Sequence, residues 1–423
     1  MSASIQGFLA EGFAHPVRDG LWGHVYLTRG LEALLESAPF MRLHRILQLG
    51  PVYRLYPGAT HTRASHSLGV YHLGRRLLRG LAMRGADWIG REGAMSFLCA
   101  CLLHDLGHFP YTHSLKDLPL RSHEALTAEL ILREPTRSLV AKCGADPGFC
   151  AAIIDQGMSP AGASDELLFY RKLLSGCLDP DKLDYLNRDA RYCGVPYGVQ
   201  DVDFALSRLI PSRERGADID SRLIPNVEAI LFAKYLMYKT VYWHRQARAF
   251  TAMVKKSVLS VLESGSLAGE ELYGLDDRGL FDLLLGRPSS ETALAAWEGR
   301  PFSLLAEIPY DEARHSCLMD IARRSERERR LAAELCAAGL EARAQDIIVD
   351  LPEEISFEAD LFVLDEGRPF RESAGAFSGG AIEAFVKALR FVRVLGSPEI
   401  GEKAKTFRRS CDIIYRDGDW LGS

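Results

Sequence analysis

Residues 101–114, CLLHDLGHFPYTHS, begin as an apolar helical run and end in closely spaced ionisable side chains. His104 and Asp105 interrupt the apolar run, and His108 and His113 follow them. Burying several ionisable groups is costly unless they are paired with one another or bind a metal ion. The stretch is therefore either the solvated end of a helix or a functional site, and the rest of the chain has to decide between the two.

Histidines are concentrated around this stretch. Seven of the twelve histidines lie between His61 and His123, on separate predicted elements that would have to converge in space. Imidazole and carboxylate donors together suit zinc, iron, manganese or nickel better than calcium, which prefers oxygen ligands. Because His104 and Asp105 differ by about 100° around a helix, they can share one ion only at the flank of that helix.

The overall composition excludes some classes of protein. The chain has 423 residues, a length for which two or three lobes are expected. A net charge of −5 rules out a whole-chain basic footprint, so a nucleic-acid partner is not indicated. The nine cysteines show no CxxC spacing, which predicts reduced thiols. We see neither a signal peptide nor an apolar run of about 18 to 20 residues, and we expect a cytoplasmic protein without a membrane span.

The hydrophobic pattern predicts a mostly α protein with a smaller α+β region at the C-terminal end. Apolar residues recur at helical spacing before residue 265, whereas the later sequence mixes short amphipathic helices with alternating segments. The main expectations are a hairpin over 17–27, helices over about 65–83, 92–106, 122–143 and 230–263, strands within 346–367, and a late helix over 379–396.

Four motifs in a fixed order carry a family resemblance. They are HTRASHSLGVYHLG (61–74), LLHDLGHFPYTHS (102–114), SHEALT (122–127) and GCLDPDKLDYLNRDARYCGV (176–195). Together they resemble the HD superfamily of phosphohydrolases, and more narrowly its deoxynucleoside triphosphate triphosphohydrolases, which include the SAM-and-HD-domain enzyme and bacterial relatives. The resemblance covers roughly residues 15–250. It implies an HD phosphohydrolase core with an N-terminal extension over 1–250, a helical region over 251–345 and an α+β region over 346–423.

The resemblance implies one divalent metal ion per HD site, which could be Mn, Fe, Ni, Zn or Mg, and leaves room for a second Mg²⁺ on the triphosphate. The implied ligands are His66, His104, Asp105 and Asp181. Three or four protein ligands leave coordination positions for water and a phosphate oxygen. A metal ion there polarises the phosphoryl group and lowers the pKa of its bound water.

Further histidines match the family's catalytic and supporting positions, namely His108, His113 and His123. An imidazole near neutral pH can move a proton or stabilise a developing negative charge. In the family a carboxylate is the partner of the histidine that follows the HD motif. The aligned position here is Lys116, so Asp117 beside it and Glu124 beside His123 are the two candidate partners, listed with the catalytic set as His108, His113, His123, Asp117 and Glu124.

The resemblance also implies a nucleotide-binding set. Arg63 and Lys182 stand where the family contacts phosphate, and Tyr185 and Asp189 stand where it contacts the sugar. Gln48 and Leu49 match residues on the sugar and base side. Homodimers or homotetramers are implied by the same resemblance.

Three functions remain open from the sequence. The first is a metal-dependent hydrolase that converts dNTPs to deoxynucleoside and tripolyphosphate. The second is an HD phosphohydrolase that acts on nucleoside monophosphates or a signalling nucleotide. The third is a nucleotide-sensing or nucleic-acid-binding module with little turnover, against which the complete metal set argues. The dNTP-type QLG, HTR and DKLDY segments favour the first over the second.

Overall fold

Helices make up most of the chain in the computed structural model, as the sequence predicted. The structure describes residues 5–158, 164–357, 359–373, 377 and 379–406. A helical body precedes a smaller region that mixes helices with short strands, which confirms the predicted fold class.

Near the start of the body lies a hairpin of two antiparallel strands, in which Val17 faces Val25, as predicted for 17–27. A second, shorter hairpin joins β3 to β4. The strands are β1 (His15–Asp19), β2 (Gly23–Leu27), β3 (Ile210–Ser212) and β4 (Gly216–Asp218). The helices are α1 (Ile5–Ala10), α2 (Arg29–Leu35), α3 (Ala38–Leu43), α4 (Arg63–Met83), α5 (Arg91–Leu103), α6 (His123–Leu132), α7 (Thr136–Lys142), α8 (Pro147–Ile154), α9 (Asp165–Leu174), α10 (Pro180–Cys193), α11 (Val202–Arg208), α12 (Ile224–Met237) and α13 (Arg245–Glu263).

The later region contains a three-stranded antiparallel sheet in the order β5-β9-β6 and a separate pair, β7-β8. The strands are β5 (Ser303–Pro309), β6 (Ile347–Asp350), β7 (Phe362–Val363), β8 (Arg368–Pro369) and β9 (Phe391–Gly396). The helices are α14 (Asp277–Leu284), α15 (Ser290–Trp297), α16 (Glu312–His315), α17 (Ile321–Ala337), α18 (Gly379–Leu389) and α19 (Pro398–Thr406).

The late helix predicted over 379–396 is wrong in its second half. Helix α18 ends at Leu389, and β9 becomes the central strand of the three-stranded sheet. Both faces of this strand are covered, because Val392 and Val394 on one face and Arg393 and Leu395 on the other are all almost fully buried. Such a strand shows a nearly continuous apolar run, which cannot be told from a buried helix by periodicity.

The long helix predicted over 230–263 is interrupted. Helix α12 ends at Met237, residues 238–242 form a π-helical turn, and α13 starts again at Arg245. The side chain of His244 accepts a hydrogen bond from the Gln246 backbone N–H at 3.3 Å, and so caps the new helix. Turns of this kind within helices often lie at functional sites.

The residues at its two ends determine where helix α10 begins and where it stops. Asp179 accepts a hydrogen bond from the Lys182 backbone N–H at 2.6 Å, and Pro180 occupies the first turn, where its missing N–H costs nothing. Gly194 ends the helix in the left-handed region at φ +69°. This N-cap places Asp181 in the first turn of α10, beside the start of α4.

The turn after α5 differs from the predicted helix over 92–106. Helix α5 ends at Leu103, and the chain continues in single turns, with the backbone N–H of His108 bonded to the carbonyl oxygen of Asp105 at 3.0 Å. Gly107 is required here because a Cβ would overlap the backbone of His123 and Thr127 on α6. The glycine of the HDLGH motif therefore allows α6 to approach the turn closely.

The apolar core consists of three clusters. The largest joins the helical body to side chains from the later region, including Ile355, Val363 and Phe370. The other two lie around α13 to α15 and around the three-stranded sheet. The predicted boundaries at 250 and 345 stay a prediction, and part of the 346–423 region lies outside the described residues. Among the described residues, no helix is long and apolar enough to cross a membrane.

Gly69 offers a test of how closely α4 and α10 pack. A Cβ at Gly69 would overlap the buried Asp184 carboxylate and the Arg188 guanidinium. Because both groups are fixed in ion pairs, we expect Gly69→Ala to lower the free energy of unfolding by about 1 to 3 kcal/mol. Chemical denaturation measures the effect. Gly380→Ala is the control, since Gly380 lies in helix α18 with open space around it, and equal effects of the two variants would contradict the prediction.

Candidate metal centre and active site

The four residues predicted as metal ligands meet between α4, α5 and α10. His66 Nε2 lies 3.0 Å from Asp181 Oδ1, and His104 Nε2 lies 3.9 Å from the same oxygen. His104 Nε2 also lies 3.4 Å from Asp105 Oδ1. One donor atom each from His66, His104 and Asp105 fall within 4.8 Å of one another. Three separate elements therefore bring two imidazoles and two carboxylates to one place.

The two histidines are oriented by their other ring nitrogen. His66 Nδ1 is bonded to Asp184 Oδ2 at 2.8 Å, and His104 Nδ1 is bonded to the carbonyl oxygen of Cys101 at 3.0 Å. Both Nε2 atoms then point toward Asp181, and His104 Nε2 is buried without a hydrogen-bond partner among the residues that the structure describes. A buried imidazole nitrogen that lies beside two carboxylates is a suitable ligand for a divalent metal ion.

Asp184 was missed by the sequence analysis, although it lies in the DKLDY motif. Its oxygens accept hydrogen bonds from Trp22 Nε1 at 2.5 Å and from the Arg188 guanidinium at 2.7 and 2.9 Å. Arg188 in turn pairs with Asp19 of the hairpin at 2.9 Å. Burial alone would lower the pKa of His66, but Asp181 and Asp184 outweigh it and raise the pKa to about 10. The same carboxylates would strengthen the binding of a cation.

A second group of histidines stands beside this cluster. His108 Nε2 lies 3.0 Å from Asp105 Oδ1, and the ring centroids of His108 and His123 are 3.9 Å apart. His113 completes the group, with ring centroids 4.8 Å from His108 and 5.3 Å from His123. Burial lowers the pKa of His108 well below its ordinary value and that of His123 to about 4. Both imidazoles are therefore neutral at neutral pH and can accept a proton.

The two candidate carboxylate partners lie in different surroundings. Glu124 Oε2 is 3.2 Å from His123 Nδ1, so the structure brings this pair together. The Asp117 carboxylate instead contacts Lys255 Nζ at 2.9 Å and the Arg324 guanidinium. Among the described contacts, Glu124 pairs with a histidine, whereas Asp117 pairs with no histidine. The catalytic roles of both carboxylates stay predictions.

The cations predicted to bind phosphate lie next to the cluster. Arg63 Nη1 donates to Asp105 Oδ2 at 2.7 Å. Lys182 Nζ lies 2.6 Å from Asp179 Oδ2 and donates to the Gly176 carbonyl oxygen at 3.1 Å. Arg63 thus holds one oxygen of a predicted metal ligand, while Lys182 lies one residue after Asp181.

The predicted sugar-side residues meet in a buried polar network. Asp189 lies 2.8 Å from His61 Nε2 and accepts a hydrogen bond from the Tyr242 hydroxyl at 2.6 Å. Tyr185 packs its ring against Tyr242, with centroids 6.4 Å apart. The Gln48 backbone N–H donates to the His61 carbonyl oxygen at 3.0 Å.

Two of these positions show what the sequence analysis could and could not find. Gln48 Oε1 is buried and has no hydrogen-bond partner in the described part of the chain, and Leu49 is half-buried against the core. His61 and Tyr242 were not among the predicted site residues. His61 lies inside the HTRASHS motif, which was a signal, whereas Tyr242 lies at the π-helical turn far along the chain.

An open cleft of about 360 Å³ gives access to the cluster. Its walls include His104, Asp181, His123 and Glu124, so two predicted ligands and a candidate histidine–carboxylate pair face the same space. The rest of the lining comes from Ser122, which caps α6, and from the C-terminal ends of α8 and α9 with the residues that follow them, namely Ile153, Ile154, Asp155, Gln156, Gly157, Leu174 and Ser175.

These features define a class of protein: a helical fold whose histidine–aspartate cluster supports a divalent metal ion. Two family models match the chain, an HD domain over residues 63–144 and an HD associated region over residues 207–371. The chain belongs to the HD superfamily of phosphohydrolases.

Individual proteins show the same relationship. YwfO of Bacillus subtilis (strain 168), an uncharacterized protein, is 34% identical over 223 residues, covering 53% of this chain and 50% of YwfO. SAMHD1 of Xenopus laevis, a deoxynucleoside triphosphate triphosphohydrolase, is 26% identical over 212 residues, covering 48% of this chain and 32% of SAMHD1. A crystal structure of a hypothetical protein from Aquifex aeolicus matches with a TM-score of 0.72 and 25% identity, covering 92% of this chain and 98% of that one. The chain spans about half the length of the first curated relatives it matches.

Asp184 offers a test of the metal site that does not require activity. Asp184→Asn keeps the shape of the side chain but removes the charge that orients His66 Nδ1. We expect metal affinity to fall about 10- to 100-fold, the usual effect of losing such a partner. Elemental analysis after dialysis against graded chelator measures it. Asp203→Asn is the control, because that carboxylate is 84% exposed on the surface, and equal losses in both variants would contradict the assignment.

Proposed function

We propose that the protein is a metal-dependent phosphohydrolase that converts dNTPs to deoxynucleoside and tripolyphosphate. One observation supports it above the others. Asp105 Oδ2 binds Arg63, the cation predicted to contact phosphate, and Asp105 Oδ1 lies against His108. A predicted metal ligand is thus shared between the phosphate-binding side and the histidine group. The distant similarity to SAMHD1 supports the choice of substrate.

In this proposal His66, His104, Asp105 and Asp181 hold the divalent ion, whose identity is left open. When bound, the ion polarises a phosphoryl oxygen and lowers the pKa of a water molecule. Arg63 and Lys182 lie where they can offset the negative charge of the phosphates.

The other predicted site residues orient the nucleotide and move protons. Gln48, Leu49, Tyr185 and Asp189 form the sugar and base side of the site. Attack of water on the α-phosphorus breaks the bond to the sugar 5′ oxygen, which leaves as an alcohol and must gain a proton. His123 is neutral and faces the cleft beside Glu124, so it can take the proton of the attacking water and return it to the leaving oxygen.

Two alternatives are distinguished by products. An HD phosphohydrolase acting on nucleoside monophosphates or a signalling nucleotide would use the same metal cluster without a triphosphate. A nucleotide-sensing or nucleic-acid-binding module would show binding with little turnover.

The cytoplasmic location and a homodimer or homotetramer also stay predictions, and a second Mg²⁺ on the triphosphate belongs to the first proposal.

The deciding assay uses the purified full chain with Mn²⁺ or Mg²⁺ and each dNTP, rNTP and dNMP in turn. Chromatography should resolve deoxynucleoside and tripolyphosphate as products from dNTPs. Efficient cleavage of dNMPs with none of dNTPs would replace the proposal with the monophosphatase alternative. Tight nucleotide binding without any product would favour the sensing module.

His123 and His66 should behave differently when they are removed. His123→Ala should keep the metal content and lower kcat by about 10²- to 10⁴-fold, as expected for a group that transfers protons. His66→Ala should lose both the metal and the activity, because it removes a ligand. Metal content and kcat are measured side by side for each variant. His24→Ala is the control, since His24 is exposed on β2, and near-normal kcat in both site variants would show that these histidines are structural.

A further inference from the structure

Residues 105–117, called here the histidine segment, carry Asp105, His108 and His113 without forming a regular α-helix. The segment runs in single turns and a short 3₁₀ helix, Thr112–Leu115. A chain of this kind leaves backbone carbonyls unpaired unless other parts of the molecule supply donors. In this structure, two sets of contacts from other parts of the chain hold the histidine segment.

The first set of contacts is made by Arg42 of α3, whose residue exposure is only 8%. Its Nη2 donates to the Leu106 carbonyl oxygen at 2.6 Å, and its Nη1 donates to the His108 carbonyl oxygen at 2.6 Å. Nη1 also donates to the Leu275 carbonyl oxygen at 2.9 Å. One buried guanidinium thus joins the turn between Asp105 and His108 to Leu275, shortly before the start of α14.

The start of α14 is attached to the same part of the chain by further contacts. The Leu47 backbone N–H donates to Asp277 Oδ2 at 3.0 Å, and the Asp277 backbone N–H donates to the Arg45 carbonyl oxygen at 3.3 Å. Arg45 Nε donates to Asp276 Oδ2 at 2.5 Å. Residues 275–277 are therefore fixed relative to Arg42 rather than loosely packed against it.

The second set of contacts is made at the other end of the histidine segment. The Asp117 carboxylate binds Lys255 of α13 at 2.9 Å and Arg324 of α17. Both cations are nearly inaccessible, with residue exposures of 6% and 3%. The Asp117 side chain is itself 27% exposed, so only the two cations of this group are buried. Removing the carboxylate would leave both buried cations without compensation, which favours keeping Asp117 in place.

We propose that the HD associated region, residues 207–371, positions the histidine segment through these two sets of contacts. Leu275 acts through Arg42 at one end, and Lys255 and Arg324 act through Asp117 at the other. Together they set where His108 and His113 stand relative to Asp105. Arg42, Asp117, Lys255 and Arg324 are positioning residues, and the kinetic consequences rest on the proposed function.

The kinetic test uses Arg42→Lys and Asp117→Asn in the full chain. We expect kcat to fall by up to about 100-fold, the cost of displacing a reacting group by about 1 Å, while KM for the nucleotide and metal content change little. Arg42→Ala should regain part of its kcat when guanidinium is added, because the ion can replace the missing side chain. Arg278→Ala and Asp282→Asn are controls, since they form an exposed ion pair on α14.

A double-mutant cycle separates positioning by Asp117 from direct participation. If Asp117 acts only through its contacts with the HD associated region, the pair Arg324→Met and Asp117→Asn should lose little more kcat than either single variant. The acidic and basic limbs of the pH profile of kcat should also stay at the same pH values as in the wild-type protein. Additive losses, or the disappearance of one limb in Asp117→Asn, would mean that Asp117 takes part in the reaction and would overturn this half of the proposal.

Hydrogen exchange tests the same proposal without activity. Backbone amides of the histidine segment should exchange faster in Arg42→Lys and Asp117→Asn, with the midpoint of global unfolding unchanged. If Arg42→Lys does not fold, Asp117→Asn alone decides the result. Unchanged exchange in these amides would overturn the proposal. A wild-type protein that hydrolyses no nucleotide would contradict the proposed function, and the exchange result would still decide the positioning role.

Discussion

The carboxylate of Asp105 is a buried negative charge on which the arrangement of the site depends. Its side chain is 4% exposed, and it is surrounded by Arg63, His104 and His108 within 3.4 Å. Burial alone would raise the pKa of Asp105, but the two histidines and Arg63 lower it well below its ordinary value. A buried charge with its partners removed costs several kcal/mol. The start of α4 and the turn after α5 must therefore keep their relative positions for the fold to tolerate this group.

The surroundings of the histidines divide them into two functional sets. His66 has carboxylates on both ring nitrogens, which raise its pKa and favour a bound cation. For His108 and His123 burial outweighs the neighbouring Asp105 and Glu124 carboxylates, and Arg63 acts in the same direction as burial, so their pKa values fall. Identical side chains a few ångströms apart thus differ in charge preference: the surroundings of His66 favour a positive charge, and those of His108 and His123 favour the neutral ring. Asp105 lies between the two sets, since its carboxylate is close to both His104 and His108.

The sequence could indicate that the four predicted metal ligands lie together, because those residues lie in short motifs with strong local signals. Asp179, Pro180 and Gly194 define α10 from its ends, which places Asp181 in the first turn. The partners of Asp184 and Asp117 could not be predicted in this way. Trp22 is 162 positions from Asp184, and Arg324 is 207 positions from Asp117, so only the tertiary fold brings them together. Strand β9 was missed for a related reason, since tertiary packing buries both of its faces and removes the polar alternation that identifies a strand.

The functional unit is larger than the HD domain that the family model matches over residues 63–144. Arg42 precedes that range, and Asp181 and Asp184 follow it, yet all three contact its metal or histidine residues. The reason is that α5 ends at Leu103, before the HD pair, so the carbonyl oxygens of Leu106 and His108 lie outside a regular helix. Arg42 donates to both of them, and its guanidinium is also bonded to the Leu275 carbonyl oxygen of the HD associated region. An HD motif built on a turn rather than a helix therefore requires the later part of the chain to complete it.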